Sequence, residues 1–138
     1  MSRAPVSPTY KGRTLGIVAL TVAQFTIGII HVFFGFWLLS ATSNISAQSP
    51  LIYSIYTLTF GVLTLICAYG IWRGKNWSWH GTVAVAIFVI AADALTLLNL
   101  PSIPGIPKLA AAAEISYSLA VLLYLSQKHV RAKYKAAK

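Results

Sequence analysis

Residues 79–100 read WHGTVAVAIFVIAADALTLLNL, an apolar run with one acidic side chain inside it, Asp93. About 20 apolar residues in helical form cross the hydrocarbon core of a bilayer, so this stretch predicts a transmembrane helix. A carboxylate at that depth costs roughly 2.5–3.5 kcal/mol on insertion scales and is retained for a partner or a function. The stretch therefore speaks to two questions at once: the chain spans a membrane, and it carries a polar group that lipid alone would not accommodate.

Three more runs, roughly 15–39, 51–72 and 108–126, have the same character, and Glu114, the only other acidic residue, lies in the last of them. Over the 138 residues, 57% are hydrophobic and 9% charged, with a mean hydropathy of +0.72. That composition belongs to an integral membrane protein. The breaks carry turn chemistry: Ser40 to Pro50, Arg73-Gly74-Lys75-Asn76, and Pro101 to Pro107 around Gly105. The expectation is an all-α, four-helix transmembrane bundle running up-down-up-down as a single integral domain, followed by a basic tail over 127–138.

Charge sets the expected orientation, because cytoplasmic loops carry an excess of Lys and Arg near helix ends. Arg3, Lys11 and Arg13 precede the first helix, Arg73 and Lys75 join the second to the third, and Lys128, Arg131, Lys133, Lys135 and Lys138 follow the fourth. The opposite loops hold only Lys108. Both termini are thus expected in the cytoplasm, with the chain multi-pass in the cell membrane. Trp72, Trp77 and Trp79 around the basic hairpin suit an aromatic belt at the headgroups, as does Trp37 on the other side. Attraction to anionic lipid accounts for the formal charge of +9. No nucleic-acid motif accompanies it, so nucleic acid is not an expected partner.

The apolar run before Ser40-Ala41-Thr42 is about 25 residues, against about 7–15 for a signal-peptide core, so it reads as a retained helix. Cys67, the single cysteine, reads as buried apolar filler. Of the sequons Asn44-Ile45-Ser46 and Asn76-Trp77-Ser78, only Asn44 would face outward.

Helical spacing of three and four residues marks a packing seam on each span. The seams read Thr21, Gln24, Gly28, His31, Gly35; then Ser54, Thr57, Gly61, Thr64, Ala68; then Thr82, Ala86, Val89, Asp93, Thr96; then Ala110, Glu114, Tyr117, Val121, Tyr124. Small residues let membrane helices approach, and polar ones hide there from lipid. Packing alone does not require His, Asp and Glu. At a rise of about 1.5 Å per residue, His31 lies roughly 12 Å from the outer helix end, Asp93 roughly 10 Å, and Glu114 and Thr57 roughly 9 Å. One intramembrane layer is expected, His31, Thr57, Asp93, Glu114 and Tyr117, ringed by Tyr56 and Thr96.

Three uses of that layer compete. It can lock helix register through a hydrogen-bonded network in which the carboxyls share protons, since two carboxylates in low dielectric do not both stay charged. It can exchange a proton or small cation, with His31 as relay. One His and two carboxylates also form a facial-triad or zinc ligand set, but no spacing signature supports it and no metal is expected. A bis-His haem would need His31 and His80, which lie near opposite membrane faces. No phosphate loop, nucleophile elbow, HExxH or paired CxxC occurs, so neither an enzyme nor a cofactor is expected. Tyr56, Tyr69, Tyr117 and Tyr124 suit a quinone or lipid pocket, or simple bridging of buried hydroxyls.

The hairpin from Ala68 to Trp79, Ala-Tyr-Gly-Ile-Trp-Arg-Gly-Lys-Asn-Trp-Ser-Trp, and the tail from Ser126 to Ala132 resemble those of small four-span prokaryotic, often archaeal, membrane proteins of unknown function. The resemblance implies topology and no activity. The expected function is a small non-catalytic accessory or stabilising subunit of a larger membrane complex, respiratory or membrane-monooxygenase in type, with archaeal ammonia monooxygenase as an example. The alternative is a proton- or cation-coupled carrier using Asp93 and Glu114. Expected partners are the lipid bilayer and either membrane subunits or further copies of the chain.

Overall fold

In a computed structural model, which describes residues 9–10, 13–42 and 48–136 and the side chains of 14–41 and 51–136, each apolar run forms a helix. These are α1 (Leu15–Thr42), α2 (Gln48–Trp72), α3 (Asn76–Leu97) and α4 (Lys108–Leu125), and all four are long and apolar enough to cross a membrane. Ahead of α1, β1 (Thr9–Tyr10) pairs antiparallel with β2 (Arg13–Thr14), a two-residue exception to the all-helical expectation. Asn44, Arg3, Lys11 and Lys138 lie outside the described residues.

The helix ends follow from backbone chemistry. After α2, Gly74 adopts a φ of 69°, while the Lys75 and Gly74 N–H groups return to the carbonyls of Gly70 and Ile71. That is a Schellman cap, which glycine enters without steric cost. α3 begins at Asn76, three residues before the expected start, because Lys75 supplies an extended N-cap. It stops at Leu97, not residue 100, because Asn99 turns left-handed at a φ of 56°. The Leu100 and Asn99 N–H groups then cap Leu95 and Thr96 in the same motif.

Consecutive helices pack antiparallel, and α4 closes the ring by meeting α1, with Gly16 against Tyr124 and His31 against Glu114. α1 and α2 form the closest pair. A Cβ on Gly61 would stand 2.8 Å from the Val32 nitrogen and 3.0 Å from the Gly28 carbonyl oxygen, so only glycine lets the two backbones meet there. The expected seams of α1 and α2 are the buried faces, with Thr21, Gln24, Ser54, Thr57, Thr64 and Ala68 all inside. α4 requires a correction. Its fully buried line is Ala111, Ser118, Val121 and Leu125, and Glu114, Tyr117 and Tyr124 flank that line on the side toward α1.

Within the basic tail, whose secondary structure the sequence reading leaves open, residues Lys128–Ala136 form α5. Val130 and Tyr134, four residues apart, are buried, and the Tyr134 hydroxyl donates to the Ile71 carbonyl at 3.1 Å. Arg131 stacks over Trp79, its guanidinium carbon 5.7 Å from the ring centroid. Trp79, expected at the headgroups, spends its indole N–H on the Leu125 carbonyl at 3.1 Å and fastens α3 to the end of α4. α5 thus seals the end of the bundle that holds the α2–α3 hairpin, here termed the basal end. Tyr134→Phe should remove one buried hydrogen bond, costing about 0.5–1.5 kcal/mol. Limited proteolysis should then cut within α5 sooner while the spans stay intact.

Candidate functional site

The polar layer forms where α1, α3 and α4 converge, about one helical turn beyond the Gly28–Gly61 contact region. His31 Nδ1 donates to the Ile27 carbonyl at 2.8 Å, one turn back on its own helix. A carbonyl only accepts, so Nδ1 carries a hydrogen. His31 Nε2 then faces Glu114 Oε1 at 3.2 Å. One proton must occupy that contact, held by imidazolium beside carboxylate or by carboxylic acid beside neutral imidazole. The pair is a two-position proton holder. The edge of Phe60 meets the His31 ring in a T-shaped contact at 4.8 Å and fixes its plane.

Asp93 is 0% exposed, and no hydroxyl, amide or ring N–H among the described residues donates to its carboxyl oxygens, while the Glu114 carboxyl lies within hydrogen-bonding reach of it. It lies within electrostatic reach of Glu114 and His31. Glu114 Oε2 likewise receives no hydrogen bond from such a donor, and the hydroxyls of Tyr56 and Tyr117 are buried and unpartnered. Thr57 sits in the layer as expected, fully buried, but its hydroxyl donates to the Tyr53 carbonyl at 2.8 Å and leaves only acceptor capacity. Thr96 stands above, donating to Ser102, whose own hydroxyl reaches back to the Ala92 carbonyl at 2.7 Å. The connection after α3 therefore folds over the helix end next to Asp93.

His31, Glu114 and Tyr117 also line a cleft of about 340 Å³, walled by Ile27, Phe34 and Ala110. Their convergence makes the layer a site in which a proton has several alternative positions, on carboxyl, imidazole and phenol. Among the described residues no three of His, Cys, Asp and Glu are grouped to hold a metal ion, so the facial-triad reading has no ligand set. Trp72, Arg73, Lys75 and Trp77 stay at the hairpin, away from this chemistry.

Sequence reasoning missed Phe60 and Ser102. Phe60 follows Thr57 by three residues, the spacing that shares a helix face, so the seam pattern held its signal. Ser102 left no such trace, because its role depends on how a connection folds back.

A family model described as "Predicted membrane protein (DUF2127)" matches residues 11–128. No curated protein and no solved structure matches the chain.

Proposed function

Because the chain belongs to that family of membrane proteins and sits in a lipid bilayer, we propose that its polar layer is a proton-exchanging site and that the protein is a small, non-enzymatic, proton- or cation-coupled carrier. The observation that carries this reading is Asp93, fully buried with no donor to its oxygens other than the neighbouring Glu114 carboxyl, beside a His31–Glu114 pair that shares one proton. A register lock is expected to be fully satisfied, since a half-satisfied buried network is less stable than an apolar core. Ionisable groups left open inside a membrane are the usual carriers of proton or cation coupling. In this reading Asp93 takes up the proton or cation, Glu114 releases its proton to His31, and the basal end with both termini faces the cytoplasm, as the basic residues of the hairpin and α5 favour.

The second reading is an accessory or stabilising subunit of a larger complex, respiratory or monooxygenase in type, or a homo-oligomer. The aromatic row Phe33, Phe36 and Trp37 on the outside of α1 favours it, since a partner helix fits there as well as lipid does.

Proteoliposomes holding the purified chain and an internal pH dye separate the two. A potassium-diffusion potential should drive proton uptake by the wild type. Asp93→Asn with Glu114→Gln should lower that flux at least about tenfold, the rate counterpart of roughly 1.4 kcal/mol, while the protein still elutes as a folded species. Wild-type vesicles no leakier than empty ones, or a double variant that fails to assemble, would favour the subunit reading.

A further inference from the structure

The unpartnered polar atoms of this bundle are not confined to the carboxylate layer. Gln24 Oε1, Thr64 Oγ1 and Thr82 Oγ1 belong to side chains 3%, 4% and 3% exposed; the first two have no hydrogen-bond partner among the described residues, and Thr82 Oγ1 has within reach only the Cys67 thiol, a weak partner. The three come from α1, α2 and α3, and with Tyr117 of α4 they line one cavity on the bundle axis. Its volume is about 20 Å³. A cavity of roughly 10–15 Å³ or more holds a water when two to four polar partners are present. This one offers four, from four different helices.

The cavity lies toward the basal end from the carboxylate layer. Gln24 precedes His31 by two helical turns, about 10 Å, and Thr64 follows Thr57 by the same interval on the antiparallel neighbour. Tyr117 belongs to both levels. It lines the cavity with Gln24, Thr64 and Thr82, and it lines the cleft with His31 and Glu114. Glu114 and Tyr117 are three residues apart on α4 and share a face.

We infer that this cavity is a binding site for one ordered water molecule, held by Gln24, Thr64, Thr82 and Tyr117, and that the water forms the inner part of the proton's route to the carboxylate layer. The water donates to Gln24 Oε1, which only accepts, and its remaining capacity meets the hydroxyls. In a relay the water oxygen takes up a proton arriving from the aqueous phase at the basal side, while one of its own passes to the Tyr117 oxygen. Tyr117 in turn releases its hydroxyl proton to the Glu114 carboxylate. The water and Tyr117 end as they began, and Glu114 has gained one proton. The relay role rests on the proton-exchanging reading above; the occupancy of the cavity does not.

Water-edited solid-state NMR on the chain in lipid vesicles, with labelled threonine and glutamine, tests the site directly. Polarisation should pass from water to the Thr64 and Thr82 side chains of the wild type, although both are sealed from the surface. Failure of that transfer would overturn the site, whatever the vesicles do. Thr82→Val and Gln24→Met, close in volume, should abolish the transfer to Thr64 and slow proton uptake about tenfold. Transfer abolished with uptake unchanged would overturn the relay. Transfer present in a wild type that moves no protons would leave the water site standing and remove both the relay and the carrier reading, so the two failures are distinguishable.

Discussion

Gly61→Leu is expected to take α1 and α2 apart. A Cβ at that position already stands 2.8 Å from the Val32 nitrogen and 2.9 Å from a Val32 methyl, with the Gly28 carbonyl oxygen at 3.0 Å. Two of the three obstacles are backbone atoms that cannot turn aside, and a leucine adds three carbons beyond the Cβ. Overpacking in a tight interface costs about 1–3 kcal/mol and occasionally more, and here the upper end applies. Because α2 carries Thr57 and Phe60 to the polar layer, separation also loosens the His31 ring. Thermal unfolding in mild detergent, followed by size-exclusion chromatography, should show loss of the monodisperse species. Gly61→Leu behaving as wild type would mean that the close approach is not needed for assembly. An intermediate loss for Gly61→Ala would place the cost in the Cβ itself.

The second large effect concerns His31. His31→Ala leaves Glu114 Oε1 with no partner and removes the ring that packs against Phe60. Breaking a fully buried pair costs about 3–5 kcal/mol, because a charge is left uncompensated. The side chains here are 18% and 19% exposed, so a smaller loss, near about 2 kcal/mol, follows once that exposure is allowed for. The sign of the remedy is informative. Adding Glu114→Ala should recover part of the loss, giving a coupling of about 0.5–3 kcal/mol across the double-mutant cycle. Chemical-denaturant or thermal curves for the four proteins measure it. Strictly additive losses would mean that the 3.2 Å contact carries no energy.

Much of the fold was legible because a bilayer imposes one period and one length on every span. The apolar runs gave α1 and α2 to within a few residues, and the Thr-Gln-Gly and Ser-Thr-Gly spacings gave their inner faces. Errors arose where local chemistry competed with hydrophobicity. Leu97-Leu98-Asn99-Leu100 is as apolar as the helix before it, and only the single Asn99, able to turn left-handed, marks the stop. α5 escaped because its Lys and Arg residues read only as a topology signal, whereas the pair Val130 and Tyr134 makes one face of a helix that docks under the bundle. In the site, Asp93, Glu114 and His31 were identifiable by cost alone. Their partnership was not, since the rotation of α4 about its own axis decides that Glu114 meets His31 while Asp93 is left with only the Glu114 carboxyl beside it.

The helices that flank the His31–Glu114 cleft differ in length. α1 has 28 residues and α4 has 18, or about 42 Å against about 27 Å. A hydrocarbon core near 30 Å makes the first lean or project and draws the membrane thin beside the second. Headgroups and water are thereby pulled toward Glu114, only six residues from the start of α4. Acyl-chain length thus becomes a control on the site: thick bilayers should seal the cleft in hydrocarbon, and thin ones should wet it.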